Sequence, residues 1–274
     1  MSTYLVEGGF PLNGSVAVHG AKNSVLPILA AALLAPGECV IHNCPDLSDV
    51  EASLAILRHL GCPARREGTA VIVDASAPTR WDVPDRLMRE MRSSVIFLGA
   101  VLGRMGRASL CAPGGCELGP RPIDLHLAAI RALGGTITEE PGGMLCQGAL
   151  HGADIVLSLP SVGATENAML AAVCAKGTTT ITNAAREPEI VDLQNFLLTL
   201  GARVRGAGSS VITIEGGAPL HGGSYTVMAD RIVACTYLAA AAAAGGGVGG
   251  AGGDWRTLST VTAVLTLAGC TVRS

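Results

Sequence analysis

Twenty-four residues separate Gly37 from Gly61, Gly177 from Gly201 and Gly245 from Gly269. A spacing kept three times in one chain marks an internal duplication, and it limits the possible folds more than any single motif does. The flanking text repeats as well. Residues 17–62 run through Gly20-Ala21-Lys22-Asn23-Ser24, an Ala/Leu stretch, Gly37, a Val/Ile strand at 38–42, Asn43, then Pro45, Asp46 and Asp49 before a second helix. Residues 158–202 keep the order: Ser161-Val162-Gly163-Ala164-Thr165, an Ala-rich stretch, Gly177, a strand through Ile181, Asn183, then Pro188 and Asp192. In both copies an asparagine stands six residues after the first glycine. Another copy begins near Thr226. The remaining one, opened by Met91-Arg92-Ser93-Ser94, stretches the glycine interval from 24 to 28 residues between Gly106 and Gly134. Its extra residues fall at Ala112-Pro113-Gly114-Gly115-Cys116-Glu117-Leu118-Gly119-Pro120-Arg121-Pro122.

Each copy reads as strand, helix, strand, helix and a closing strand pair, such as 64–66 with 70–73 and 203–205 with 211–214. The glycine after each second helix is the expected C-cap. Alternating helices and Val/Ile strands specify an α/β protein. A period near 70 residues exceeds that of solenoids and predicts duplicated subdomains packed around shared helices. The core has to be aliphatic, because 49% of the residues are hydrophobic and only 3% aromatic. The apolar runs at 25–34, 95–102 and 237–244 fall short of the ~20 residues needed to span a bilayer and are expected to be buried helices. The N-terminus lacks a basic start followed by an apolar core, so a cytoplasmic location is expected. A net charge of −3 without basic runs argues against nucleic-acid and polybasic membrane partners. None of the nine cysteines forms a Cys-x-x-Cys pair, which fits core thiols in a reducing compartment. The six histidines lack metal-ligand spacing, so neither a metal nor a cofactor is expected. The glycine run at 245–253 is poor strand material, and the last copy stops after one closing strand, which reads as a truncated or degenerating C-terminus.

The loop inserted in one copy is the first candidate for chemistry. Gly and Pro exclude a regular helix or central strand around Cys116, and a thiol on a shaped loop near Arg121 can serve as acid or nucleophile. Lys22, at a turn before a helix, is placed to hold a phosphate. Arg92 occupies the corresponding place in its own copy, and with Arg121 it offers bidentate contacts to an anion. The turn Ser161-Val162-Gly163 suits a phosphate or hydroxyl contact, although an ordinary N-cap has the same look. Asp124 is open to two readings, an N-cap or a ligand for a base or sugar. Asp49, Glu187, Glu189 and Asp192 are read as capping and loop geometry.

Several of these stretches together resemble the UDP-N-acetylglucosamine enolpyruvyl transferase (1-carboxyvinyltransferase) family. They are Gly20-Ala21-Lys22-Asn23 with Leu26-Pro27, Met91-Arg92-Ser93-Ser94, Pro113-Gly114-Gly115-Cys116, Arg121-Pro122-Ile123-Asp124-Leu125-His126, Ser161-Val162-Gly163-Ala164-Thr165-Glu166-Asn167 and the segment from Asn183 to Asp192. The resemblance runs in register to about Ala244. It implies six βαβαββ units in two three-unit domains, an inside-out α/β barrel with the active site between them. Residues 22–228 would form one complete domain, and 1–21 with 229–274 part of the other.

By the same resemblance, the enolpyruvyl group of phosphoenolpyruvate passes to the 3′-hydroxyl of UDP-N-acetylglucosamine, the committed step of peptidoglycan synthesis. Cys116 would be the proton donor and the target of fosfomycin. Lys22, Asn23 and Arg121 would hold phosphoenolpyruvate. Arg92, Arg121, Pro122, Ile123, Asp124, Leu125, Ser161, Val162 and Gly163 would line the nucleotide-sugar site. Leu159-Pro160 depart from members that carry a lysine before the Ser-Val-Gly turn. The incomplete last repeat keeps a second reading open: a non-catalytic nucleotide-sugar-binding remnant, or a half-enzyme that needs a partner chain, able to self-associate through its uncovered partial domain.

Overall fold

The computed structural model describes residues 3–111 and 122–273. They divide into two compact units, residues 22–227 and residues 1–21 with 228–274. The strand β1 (Leu12–Ala17) belongs to the smaller unit.

The larger unit contains three turns of the repeat. The first runs α1 (Lys22–Ala32), β2 (Glu38–His42), α2 (Ser48–His59), β3 (Ala64–Glu67) and β4 (Ala70–Asp74). The second runs β5 (Asp82–Val83), α3 (Asp85–Met88), a 3-10 turn (Arg92–Ile96), α4 (Phe97–Met105), β6 (Arg107–Leu110), α5 (Asp124–Ala132), β7 (Thr136–Glu140) and β8 (Gly143–Gln147). The third runs β9 (Asp154–Val156), α6 (Val162–Cys174), β10 (Gly177–Thr182), α7 (Pro188–Thr199), β11 (Arg203–Arg205) and β12 (Val211–Gly216), and β13 (Ser224–Thr226) follows. Three four-stranded sheets result, ordered β13-β2-β4-β3, β5-β6-β8-β7 and β9-β10-β12-β11. Each has a parallel pair at one edge and antiparallel pairs beyond it. The mixed α/β architecture of repeated units expected from the glycine spacing is present. The first sheet takes its edge strand from the far end of the unit, where Ser224, Tyr225 and Thr226 pair with Val40, Ile41 and His42.

The repeat persists because its turns demand particular residues. Gly61, Gly134 and Gly201 end α2, α5 and α7 with φ of 91°, 93° and 93°, a region that costs an L side chain energy. Space forbids a Cβ there too: at Gly61 it would strike Thr79, and at Gly134 the ring of His151. Asn43 and Asn183 both sit at φ 57°. Their amides donate to the carbonyls of Val227 (3.0 Å) and Leu157 (2.8 Å), tying each turn to the segment leaving the neighbouring parallel strand.

Helices α1, α4 and α6 form the centre of the larger unit. All of residues 24–32 in α1 and 164–173 in α6 are buried, as are 97–102 in α4. A helix apolar all round has to be enclosed by other elements, and this accounts for two of the three apolar runs in the sequence.

The third run behaves differently. In the smaller unit, α8 (Arg231–Ala244) leads to β14 (Gly246–Ala251), a 3-10 turn (Trp255–Leu258) and α9 (Ser259–Leu267). Only Ala234 of α8 is buried and Tyr237 is 44% exposed, so the expectation of a buried helix at 237–244 is overturned. Two strands and one further helix are too few to enclose an apolar helix. The glycine run also departs from expectation, because β14 pairs in parallel with β1 from Leu12↔Gly246 to Ala17↔Ala251. Glycine's weak strand preference is outweighed here by a neighbouring strand that supplies the whole ladder. Among the described residues no helix is long and apolar enough to cross a membrane.

Candidate active site

The three central helices run parallel. Near their N-terminal ends the Gly99 N–H of α4 donates to Asn167 Oδ1 of α6 at 2.6 Å. Near their C-terminal ends a side chain at Gly103 would come within 3.3 Å of Cys174 Sγ, and Leu34 beyond α1 lines the same cavity as Arg104 and Cys174. Three N-terminal ends therefore share one end of the larger unit. Each carries roughly half a positive charge, which suits an anion.

The residues expected to bind substrate lie at these ends. Lys22 and Asn23 open α1 and are exposed. Lys22 Nζ pairs with Asp49 Oδ2 of α2 at 2.7 Å, so an anion arriving at Lys22 would share it with a carboxylate. Arg92 is half-buried and opens the 3-10 turn that leads into α4. Ser161 is the N-cap of α6, its hydroxyl accepting from Ala164 N–H at 3.4 Å, while Val162 and Gly163 form the first turn. Pro122 is exposed and Ile123 and Leu125 are half-buried; Asp124 is the first residue of α5 and not its cap, since Ile123 occupies that position without a side-chain cap bond.

His126 joins three of these pieces, and this the sequence reading missed. Its ring is 8% exposed and abuts Gly163, where an added Cβ would lie 3.0 Å from Cε1. Nδ1 lies 2.7 Å from Asn167 Nδ2, and the same amide donates to Val95 O at 2.8 Å. An amide N–H can only donate, so Nδ1 is the acceptor and the ring is neutral with its proton on Nε2. Burial, reinforced by the Arg92 guanidinium against the opposing pull of Asp124, lowers the ring's pKa to about 4. The only sequence signal was adjacency to the Arg121–Leu125 stretch, because burial of a histidine depends on what packs over it.

Acidic side chains gather beside this end. Glu166 in α6 is buried, and desolvation together with Glu189 and Glu187 raises its carboxyl well above the usual range. Asp192 of α7 accepts from Ser24 of α1 and, at 2.6 Å, from the Tyr225 hydroxyl of β13. Of the residues read as capping geometry, Asp49 and Asp192 thus fasten α2 and α7 to α1. Burial raises the thiols of Cys44 to about 12 and of Cys62, Cys146 and Cys174 to about 11, which makes them poor nucleophiles. Among the described residues no His, Cys, Asp and Glu cluster could hold a metal ion. Cys116 and Arg121, expected to act as proton donor and anion ligand, lie outside the described residues.

The chain is similar to known proteins over most of its length. Residues 6–274 match the EPSP synthase (3-phosphoshikimate 1-carboxyvinyltransferase) family. The chain is 53% identical over 242 residues to UDP-N-acetylglucosamine 1-carboxyvinyltransferase 2 of Caldanaerobacter subterraneus subsp. tengcongensis, covering 88% of this chain and 58% of the relative. It is 50% identical over 277 residues to UDP-N-acetylglucosamine 1-carboxyvinyltransferase 1 of Symbiobacterium thermophilum, covering 98% of this chain and 63% of the relative. The chain thus spans about three-fifths of these relatives' length. The crystal structure of the enolpyruvyl transferase NikO from Streptomyces tendae superposes with a TM-score of 0.75 at 29% identity, over 85% of this chain and 56% of that one. An EPSP synthase structure from Acinetobacter baumannii gives a TM-score of 0.67 at 22% identity, over 88% of this chain and 56% of that one, which shows a shared fold. With the three-fold repeat, the helix-end cations and a family match over nearly the whole chain, this protein belongs to the EPSP synthase family of enolpyruvyl transferases, most of its length being similar to UDP-N-acetylglucosamine 1-carboxyvinyltransferases.

Proposed function

We propose that the chain carries the substrate-binding and proton-donating half of a UDP-N-acetylglucosamine 1-carboxyvinyltransferase, acting in the cytoplasm at the committed step of peptidoglycan synthesis. The observation that carries this reading is the convergence of Lys22, Arg92 and the Ser161–Gly163 turn on the N-terminal ends of three parallel helices. Such an end stabilises multiply charged anions, and both phosphoenolpyruvate and a nucleotide diphosphate are of that kind. Identity of 50–53% to relatives named for this reaction supplies the substrate class.

The residues divide the work. Lys22, Asn23 and Arg121 hold phosphoenolpyruvate. Arg92 and Arg121, with Pro122 to Leu125 and the Ser161-Val162-Gly163 turn, hold UDP-N-acetylglucosamine. Neutral His126 keeps the start of α5 against α6 without adding charge. An unperturbed thiol is mostly protonated at neutral pH, and Cys116 is proposed to deliver its proton to the methylene carbon. As that C–H bond forms, the sugar 3′-oxygen adds to the neighbouring carbon and gives up its own proton. Phosphate then departs with the C–O electron pair and takes up the proton released by the 3′-hydroxyl, and loss of a proton from the methyl carbon to the Cys116 thiolate restores the vinyl group and the thiol.

Phosphate release from phosphoenolpyruvate in the presence of UDP-N-acetylglucosamine tests the reading. Release should require both substrates and fall about 100-fold or more in Cys116→Ala, the scale of a positioned proton donor. Release at background level in both proteins would overturn catalysis by this chain. Calorimetric binding of UDP-N-acetylglucosamine without turnover would then favour the binding-only reading.

A further inference from the structure

The opposite end of the three central helices has its own recess. A cavity of about 330 Å³ opens where α1, α4 and α6 finish, between those helix ends and the segment after β12. Most of its wall is apolar, from Leu34, Pro36, Val173, Pro219 and Leu220. The exception is Arg104, in the last turn of α4.

Arg104 is equipped differently from those arginines of the unit that pair with carboxylates. Arg66 and Arg89 each meet a carboxylate, at 3.2 Å and 2.7 Å. Among the described residues no carboxylate lies within ion-pair distance of Arg104. Its Nε is enclosed yet finds no acceptor there, and Nη2 makes one long bond, 3.4 Å to the carbonyl of Ala75. A cation at a helix C-terminus does interact favourably with the helix dipole, which explains why a positive residue is tolerated. It does not provide an acceptor for Nε–H, and an enclosed, unanswered donor is costly. Nε–H and one Nη2–H form the side of a guanidinium that takes a carboxylate with two parallel hydrogen bonds. In the structure this side is enclosed, so the grip requires a rotation about the side-chain bonds that turns it towards the cavity, a fast motion for a partly exposed residue.

Charge narrows the ligand further. Three helix C-terminal ends place roughly half a negative charge each near the cavity and oppose an anion there, so the guanidinium pairing and the apolar wall have to outweigh them, which one negative charge allows better than two. The volume lies at the lower end for small-molecule pockets. We propose that this cavity binds a small monocarboxylate with an apolar body, held side-on by Arg104 and packed against Leu34, Val173 and Leu220. The 13 residues of α6 separate it from the Ser161–Gly163 turn by roughly 19 Å at 1.5 Å per residue, so it is a second site and independent of the enolpyruvyl reading.

Benzoate titrated into the whole chain, followed by the 1H–15N signal of Arg104 Nε, tests the proposal. The signal should shift saturably, with half-saturation in the roughly millimolar range expected for a ligand of this size. Neutral benzamide should bind about tenfold more weakly, the effect of losing charge-assisted hydrogen bonds. Arg104→Met, with binding followed by saturation transfer to benzoate's own ring protons in both proteins, should weaken benzoate about tenfold or more, its fold being checked by circular dichroism. Ala218→Leu keeps the guanidinium and fills the cavity; it should also weaken binding about tenfold, followed by the Arg104 signal itself. Failure to saturate up to about 50 mM overturns the proposal. So does unchanged affinity in folded Arg104→Met or in Ala218→Leu.

Discussion

His126 shows how one residue can link packing to charge. Its ring is held neutral because Nδ1 is engaged by Asn167 and burial disfavours the cation, while Arg92 would repel it. The folded pKa of about 4 lies below the value near 6.5 of an exposed histidine. Between those values the unfolded chain binds the extra proton, so the stabilising contribution is complete above about pH 6.5 and is lost as pH falls towards 4. From pH 7 to pH 5 this one group should remove on the order of 2 kcal/mol. His126→Gln keeps an acceptor for Asn167 and does not titrate. Urea midpoints of the two proteins should therefore differ at pH 7 and converge by pH 5. A constant difference across that range would mean that His126 does not titrate as argued.

At the scale of elements, the decisive feature is the turn after β2 and after β10, the strand between the two helices of its repeat. Asn43 and Asn183 adopt the same left-handed conformation 140 residues apart and make the same bond to a neighbouring segment. Asparagine is suited to both tasks, since it tolerates positive φ and its amide reaches a backbone carbonyl. Asn43→Ala should lose the bond and strain the turn, costing about 1–2 kcal/mol. Asn43→Gly should cost less, because only the bond is lost. Chemical denaturation of the two variants distinguishes these contributions; equal losses would show that conformation contributes nothing. The repeat made these asparagines legible before any coordinates, as it did the glycine C-caps. It did not reveal what they bond to, because Val227 lies 184 residues from Asn43.

At the scale of the molecule, the two units differ in how well they enclose their helices. Residues 22–227 bury three helices among three sheets, whereas in the smaller unit α8 buries only Ala234 and α9 buries no residue. Backbone hydrogen bonds exposed in this way open with little cost. Amides of 234–244 should therefore exchange with deuterium at least 100-fold faster than those of 166–173, whose opening approaches global unfolding. Equal protection would contradict the description of α8 as poorly enclosed.

The sequence by itself determined the repeat, the α/β alternation, the turn residues and the helix starts that carry Lys22, Arg92 and Ser161. These depend on local backbone preference and short-range periodicity, which the order of residues encodes directly. Only the tertiary structure decided that β13 completes the first sheet, that His126 is neutral between Arg92 and Gly163, that α8 stays poorly covered, and that Arg104 faces a cavity. Each of these depends on which distant segments meet. Burial and the electrostatic environment are properties of that assembly, and no stretch of the chain carries them alone.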